Sequence, residues 1–381
     1  MHRKGPGGSG RRAVPPEALL DALRRAGDAS GFVPFDRFME VALYGEAVGF
    51  YTRAGSPFGP EGDFYTAPRV TPLFGRTIAA HLLEIRRGLG RERPFSIVEL
   101  GPGDGTLAES ILAAMPNVPE GNAEIRYVLV ERASGLGRAA VERAAPSARE
   151  RGIPIRLVES VGELGPFEGA VIANELLDAQ PARRLRWTGS EYAELGVRVR
   201  DDRLEAAEVP LTRAVPGAPV PPADSPGAIV EISPMSEALV REVADHLAGG
   251  VAVFLDYGME EAELTAAHPK GTLAAVRGHR FVEDPLDDPG ETDLSTFVNF
   301  SRIREAARCA GLLERSYRSQ AESLGAWGFP GLFEEALRAA RSSEEEVRLR
   351  LSAKNLLFGF ERFRVLEFAA PSRRTGPSGA T

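Results

Sequence analysis

A glycine-rich turn constrains the fold of this chain more than any other feature of its sequence. The apolar run 95–100 leads into the turn, and a stretch with helical spacing, 107–114, follows it. The turn reads Glu99-Leu100-Gly101-Pro102-Gly103-Asp104-Gly105-Thr106. Because glycines let a ligand approach the backbone closely and a helix N-terminus presents free N–H groups, this segment predicts a ligand site beyond the carboxyl end of a strand.

Apolar runs and helical stretches alternate through much of the remaining sequence. The runs that predict buried strands are 95–100, 125–130, 155–158, 170–173 and 251–255. Strands that are apolar along their whole length and separated by helices are typical of a parallel sheet covered on both faces. We therefore predict an α/β fold with a Rossmann-like, doubly wound sheet of seven mostly parallel strands.

The regions outside this alternation define the predicted domain organisation. A chain of 381 residues exceeds the roughly 250–300 residues at which single cores stop growing, so insertions are expected. Alternating apolar and polar residues separated by polar turns predict a small antiparallel β insertion at 182–228. The other predicted parts are disordered tails at 1–15 and 371–381, an N-terminal helical or lid region at 16–92, and a cofactor-binding domain formed by 93–181 and 229–370.

Composition excludes several classes of function. The net charge of −8 disfavours nucleic acid as a partner, because phosphate binding usually requires a basic excess. The five histidines never form HxxxH or HExxH and the one cysteine, Cys309, is expected to be buried, so no metal site is predicted. No apolar run approaches the roughly 20 residues of a membrane span, and the N-terminus lacks the apolar core of a signal peptide. On this basis we expect a cytoplasmic protein.

Two details of the turn favour S-adenosylmethionine over a dinucleotide cofactor. The spacing is G-x-G-x-G rather than G-x-G-x-x-G, and the acids Glu99 and Asp104 flank the glycines. Carboxylates repel a pyrophosphate, whereas they attract the sulfonium and ammonium groups of S-adenosylmethionine. The predicted cofactor residues of the turn are Glu99, Gly101, Gly103, Asp104 and Gly105. A nucleotide-dependent oxidoreductase is the disfavoured alternative.

A further acid, Glu131, ends the next predicted strand, 127–131. A carboxylate at that position can accept hydrogen bonds from both ribose hydroxyls of a nucleoside. Both cofactor classes use this device, so Glu131 supports nucleoside binding without separating the two. The alternative is a solvated carboxylate at a strand end.

Three polar residues follow the fourth predicted strand: Asn174, Glu175 and Asp178. The carboxyl ends of parallel strands share one edge of the sheet, so these residues are expected beside the glycine turn. They are the predicted catalytic residues, because carboxylates can grip a guanidinium and localise its positive charge. The alternative is that Asn174 caps a helix whose first turn carries Glu175 and Asp178.

The long loop 45–72 supplies a further candidate segment, 62–68. Its Asp63 and Thr66 could complete the cofactor site, and the alternative is a loop packed on itself. The acidic run 284–293 is expected to be a solvated turn, and Asp293 is the one member of it that we consider a candidate site residue.

Several of these segments together resemble the MidA family of methyltransferases. The resemblance extends over roughly residues 33 to 330, and its motifs are specific only in combination. The segments that carry it are Phe38-Met39 with Ala42-Leu43-Tyr44, Gly49-Phe50-Tyr51, the segment 62–68 with Phe74-Gly75, Glu99 to Gly103, Asn174 to Pro181, Asp256-Tyr257-Gly258, and Pro289-Gly290 with Asp293-Leu294.

The resemblance implies a class I methyltransferase fold, S-adenosylmethionine as cofactor and arginine methylation of a protein, with a respiratory complex I subunit as the implied partner. It also implies that Asp63 and Thr66 line the pocket. This sequence departs from the family pattern at Leu176, Leu177 and Gln180, and it carries Phe297 and Asn299 where the family commonly has histidine and aspartate. A non-catalytic assembly factor that binds the cofactor structurally and a small-molecule methyltransferase are the alternatives.

Overall fold

The computed structural model of the chain describes residues 15–53, 67–90, 94–118, 125–211, 215–219, 221 and 225–371. Within these residues the helices are α1 Glu17–Ala26, α2 Phe35–Tyr44, α3 Ala67–Val70, α4 Pro72–Leu89, α5 Thr106–Ala114, α6 Ser134–Arg151, α7 Pro234–His246, α8 Glu261–Ala267, α9 Phe300–Cys309, α10 Gln320–Ala326, α11 Phe329–Ala339 and α12 Ser343–Phe358. A short 3₁₀ helix covers Val161–Leu164.

The strands alternate with these helices over much of the chain. They are β1 Phe32–Pro34, β2 Phe95–Leu100, β3 Ile125–Val130, β4 Ile155–Val158, β5 Phe167–Asn174, β6 Arg183–Trp187, β7 Tyr192–Arg200, β8 Arg203–Pro210, β9 Ile229–Ile232, β10 Leu247–Met259, β11 Ala274–Arg277, β12 Arg280–Phe281, β13 Asp293–Ser295, β14 Val298–Asn299, β15 Leu313–Ser319 and β16 Phe363–Ala370.

The central sheet has the order β15-β16-β10-β5-β2-β3-β4. Its strands from β10 to β4 are parallel, and β16 runs antiparallel to both β10 and β15. The predicted doubly wound α/β fold is therefore confirmed. Two strands of this sheet were not predicted: β15, which pairs with β16 at one edge, and the two-residue β14, which pairs with the end of β10.

Side chains of the central strands alternate between two hydrophobic cores. In β2, Phe95 and Ile97 pack in the core that includes α4 and α5, while Val98 and Leu100 pack in the core that includes α7 and α9. Both faces of β2 are therefore buried, which explains why its sequence is apolar over most of its length.

A second sheet has the order β1-β7-β6-β9, with β8 paired to β7. The antiparallel strands that we predicted inside 182–228 are its β6, β7 and β8. The sheet also draws on β1 and β9, which lie outside that range, because segments distant in sequence can pair along its edges. The domain boundaries as a whole stay predictions.

A third, three-stranded sheet has the order β12-β11-β13. One of its faces packs Ala275, Leu294 and Val282 in a core with the N-terminal helices α1 and α2. The predicted N-terminal helical region therefore also supports this sheet.

Three further observations concern expectations from composition. The prediction that Cys309 is buried is wrong, because its position at the end of α9 leaves the thiol exposed beside Glu305. Among the described helices, none has the length and hydropathy needed to cross a membrane. The described residues also contain no group of three or more His, Cys, Asp or Glu arranged to hold a metal ion.

Candidate functional site

An open cleft of about 630 Å³ lies at the carboxyl ends of the parallel strands. The glycine turn and the polar residues that follow β3 and β5 line this cleft together. The sequence-predicted residues found there are Glu99, Gly101, Gly103, Asp104, Glu131, Asn174, Glu175 and Asp178. Asp63 and Thr66 lie outside the described residues.

The glycines of the turn have different surroundings. Gly101 and Gly103 adopt φ of +62° and +56°, which a side chain disfavours. The Gly101 N–H donates to Val130 O over 2.9 Å, so the turn is tied to β3. Gly105, with φ of +81°, instead approaches α6, where an added Cβ would lie 2.6 Å from Ala140 O. The third glycine therefore serves the packing of α5 against α6.

The charge of Asp104 is offset by two guanidinium groups. Its Oδ2 lies 2.5 Å from Arg69 and 3.2 Å from Arg143. Its Oδ1 accepts a hydrogen bond of 2.7 Å from the Thr106 hydroxyl. The electrostatic argument for S-adenosylmethionine is therefore weak at Asp104, and the role of Asp104 in cofactor binding stays a prediction.

Glu99 lies beneath the turn and is 2% exposed. Its Oε2 accepts a hydrogen bond of 2.5 Å from the Tyr127 hydroxyl. Burial raises the pKa of Glu99 from 4.5 to about 8, against the opposing effect of that hydrogen bond. At neutral pH the carboxyl group is therefore largely protonated and does not act as a fixed anion.

This raised pKa predicts a loss of stability as pH rises. The folded-state pKa exceeds the unfolded one, so the contribution of Glu99 is fully present below pH 4.5 and is lost as pH rises through about 8. We expect Glu99→Gln to reduce the fall in the free energy of unfolding between about pH 5 and about pH 9, measured by urea denaturation. A variant whose stability falls as steeply as that of the wild type would contradict this assignment.

Glu131 is held at the end of β3 by the backbone. Its Oε1 accepts a hydrogen bond of 2.8 Å from the Ala133 N–H. Burial raises its pKa from 4.5 to about 7, and the Ala133 N–H is the largest opposing influence. The carboxyl group is thus oriented before any ligand is present.

The residues after β5 form a turn rather than a helix. Glu175 adopts φ of +52°, and no helix begins in the described residues 174–182. The alternative in which Asn174 caps a helix is therefore wrong. Glu175 Oε1 instead accepts from Asn174 Nδ2 at 3.1 Å and from the Ala67 N–H at 3.3 Å.

Asp256 holds this turn in place from the neighbouring strand β10. Its Oδ2 accepts from the successive N–H groups of Leu176, Leu177 and Asp178, at 3.1, 2.8 and 3.3 Å. The residue is 1% exposed. We did not predict a role for Asp256 beyond its place in a family motif, although its position at the end of an apolar run was a usable signal.

Buried carboxyl groups cluster on this side of the cleft. Burial raises the pKa of Glu175 from 4.5 to about 8, and the charge of Asp178 adds to the increase. Burial also raises the pKa of Asp178 from 3.8 to about 6, while the Tyr257 hydroxyl lowers it. Asn174 Oδ1 and Asp178 Oδ1 are buried and have no hydrogen-bond partner. This wall therefore presents acceptors to a cationic or donor-rich group.

Two stacked tyrosines, Tyr44 and Tyr51, form another part of the cleft lining, with ring centroids 5.3 Å apart. The Tyr51 hydroxyl donates to Asp293 Oδ1 over 3.1 Å. Asp293 is buried and lines the cleft, so the candidate from the acidic run 284–293 does join the site. In the sequence both tyrosines belonged only to segments of the family resemblance, and their place in the cleft depends on contacts with distant segments.

Two of the positions that depart from the family pattern, Phe297 and Asn299, lie in different surroundings. Phe297 lines the cleft, edge-on to Tyr257 with ring centroids 5.3 Å apart. Asn299 caps α9, where its Oδ1 accepts from the Arg302 N–H at 3.2 Å. Asparagine and aspartate both serve as helix caps, so the asparagine preserves this structural contact.

Comparison with known proteins identifies relatives over most of the chain. Residues 77–317 match a family model described as "Putative S-adenosyl-L-methionine-dependent methyltransferase". The chain is 28% identical over 323 residues to the mitochondrial protein arginine methyltransferase NDUFAF7 homolog of Drosophila melanogaster, covering 77% of this chain and 71% of the relative. It is 26% identical over 303 residues to the mitochondrial protein arginine methyltransferase NDUFAF7 of Homo sapiens, covering 74% and 66%.

A solved structure from Burkholderia thailandensis, bound to S-adenosyl-homocysteine, is similar throughout. It shares 29% identity and a TM-score of 0.80, covering 93% of this chain and 92% of that one. Our expectation of a cytoplasmic protein is contradicted, because the curated relatives are named as mitochondrial proteins. An apolar signal-peptide core does not bear on this point, since mitochondrial leaders are charged and amphipathic and have no such core.

Proposed function

Because the chain belongs to the MidA-like family of S-adenosylmethionine-dependent methyltransferases, we propose that its acceptor is a protein side chain, with an arginine guanidinium as the favoured group. The family membership supplies the reaction class and the cofactor. The names of the relatives, which are protein arginine methyltransferases, support the choice of acceptor.

The residues around the turn fit the cofactor. Gly101 lets the Leu176 side chain pack against the turn, since an added Cβ would lie 2.7 Å from it, and Glu131 is oriented to accept from ribose hydroxyls. We propose that Gly101, Gly103 and Glu131 hold S-adenosylmethionine. Glu99, Asp104 and Gly105 stabilise the turn that carries the two glycines. When bound, the cofactor supplies a methyl group on a cationic sulfur.

One observation carries the choice of arginine: two buried acceptors, Asn174 Oδ1 and Asp178 Oδ1, lack partners beside the carboxyl group of Glu175. A guanidinium has five donors and no acceptor, so it matches such a wall. A carboxylate bound to one side of the guanidinium also localises its positive charge, which makes the remaining nitrogen more nucleophilic. Asn174, Glu175 and Asp178 are the proposed catalytic residues.

The chain's own residues would position the acceptor and receive a proton. Methyl transfer is an in-line displacement, so alignment of the acceptor nitrogen supplies much of the acceleration. The guanidinium nitrogen must lose one proton on methylation, and the buried Asp178 and the partly buried Glu175 are nearby carboxylates able to take it. Asp256 acts as a positioning residue, because it fixes the turn that carries both.

The same pKa values predict how activity depends on pH. Both carboxyl groups must be ionised to grip a cation, so transfer should rise as pH increases through about 6 and again towards about 8. We expect Glu175→Gln to remove the upper part of this rise. The measurement is kcat/KM for the acceptor across that range, and an unchanged profile in the variant would contradict the assignment.

Labelled cofactor tests the proposed acceptor. The protein is incubated with a cell lysate and S-adenosylmethionine carrying a tritiated methyl group, and labelled peptides are identified by mass spectrometry. We expect added wild type to increase methyl groups on arginine, and Asp178→Asn to add at most about one hundredth as many. Label confined to small molecules, or to another side chain, would overturn the proposal.

A further inference from the structure

Phe281 is an exposed aromatic residue in an unusual place. It ends the two-residue strand β12, and 85% of its surface is exposed. Isolated exposed apolar residues are common on protein surfaces and need no explanation. Phe281, however, also lines the cleft that contains the glycine turn and the buried acids.

The sheet that carries Phe281 has two distinct faces. One face packs Ala275, Val282 and Leu294 against the N-terminal helices. The residues that alternate with these face the cleft instead. They are Ala274, Val276, Phe281, Asp293 and Ser295.

The strand register arranges three of these residues in a row. Val276 of β11 pairs with Phe281 of β12 on one side and with Asp293 of β13 on the other. Directly paired residues of antiparallel strands lie on the same face. The row therefore runs from a buried carboxyl group, through an apolar residue, to an exposed aromatic ring at the rim.

The dimensions of the row match an extended polypeptide. Two strand spacings separate Asp293 from Phe281, on the order of 10 Å. An extended chain advances about 3.3 Å per residue, so that distance corresponds to about three residues. A polypeptide whose cationic side chain enters the acidic part of the cleft would place a nearby residue against Val276 and Phe281.

We propose that Phe281 is a docking surface for an apolar side chain of the substrate polypeptide, about three residues from the methylated residue. The inference rests on the proposed function, since it takes a cationic side chain as the group that occupies the buried acids. It adds a sequence preference that the acids alone cannot provide. Acceptors that carry an apolar neighbour are bound more tightly than those with a polar neighbour.

Matched peptides test this inference. Each peptide has a single arginine in a glycine and serine background, with phenylalanine or serine at each neighbouring position in turn. Methyl transfer is measured with tritiated S-adenosylmethionine, and peptide binding by fluorescence anisotropy in the presence of S-adenosylhomocysteine. The proteins are the wild type, Phe281→Ser and the control Phe358→Ser, whose phenylalanine is 66% exposed on α12 and does not line the cleft.

We expect the wild type and Phe358→Ser to prefer a phenylalanine peptide about tenfold, and Phe281→Ser to lose that preference while binding S-adenosylmethionine normally. If peptides are methylated or bound without a preference for phenylalanine, the docking surface is overturned and the proposed function stays intact. The same holds if the preference survives in Phe281→Ser. A Phe281-dependent binding preference without arginine methylation would support docking and overturn the proposed acceptor. Absence of any peptide binding would overturn both.

Discussion

Gly101→Val is expected to weaken S-adenosylmethionine binding by about 100-fold, because the new side chain clashes with Leu176 and distorts the turn where both residues line the cleft. Gly101 adopts φ of +62°, and an added Cβ would lie 2.7 Å from Leu176 Cδ1. The Leu176 side chain belongs to the turn after β5, so displacing it would also disturb the acceptor wall. Isothermal titration calorimetry with S-adenosylmethionine measures the effect.

A matched control separates this effect from backbone strain. Gly31 adopts φ of +74° and has nothing within 4 Å of an added Cβ. Gly31→Val therefore introduces similar left-handed strain, on the order of 1–2 kcal/mol, at a site remote from the cleft. Equal loss of cofactor affinity in the two variants would show that general destabilisation, and not the turn, is responsible.

Asp178→Asn should reduce methyl transfer by roughly 100-fold to 10,000-fold while leaving cofactor affinity nearly unchanged. The substitution preserves shape but removes the negative charge that would grip the acceptor and receive its proton. It also replaces an acceptor oxygen by an amide donor, which a guanidinium cannot pair with. Single-turnover transfer to a protein substrate found in the labelling experiment measures the activity. Calorimetry measures the cofactor affinity.

Asp245→Asn provides the comparison for loss of one negative charge. Asp245 is exposed on α7 and does not line the cleft. The Asp245→Asn variant should have the activity of the wild type. If Asp178→Asn retained activity near that of Asp245→Asn, Asp178 would have no catalytic role. If Asp178→Asn lost cofactor affinity to the same extent as activity, the substitution would act through the cofactor site.

The location of the site could be predicted because its signals are local. Apolar periodicity identified the parallel strands, and parallel strands bring their carboxyl ends to one edge. Gly101, Glu131 and Asn174 follow three such strands, so their meeting in one cleft required no knowledge of distant contacts. The G-x-G-x-G spacing was likewise visible without the fold.

The electrostatics of the site could not be predicted in the same way. Asp104 looked like a free anion, but it pairs with Arg69 and Arg143, which lie 35 and 39 residues away in sequence. Glu99 also looked like a fixed charge, yet burial beside Tyr127 leaves it largely protonated at neutral pH. A carboxyl group's ionisation depends on burial and on non-local neighbours, and neither is written in the residues around it.

The sequence by itself determined the sheet, the glycine turn and the strand ends that carry the candidate residues, because these follow from short-range periodicity and glycine conformation. Only the tertiary structure decided that Asn174 begins no helix, that Asp256 holds the turn through three N–H groups, and that Asp293 and Phe281 lie in one row on the cleft. Each of these depends on contacts between segments far apart in the chain, where register and burial place a side chain independently of its local sequence.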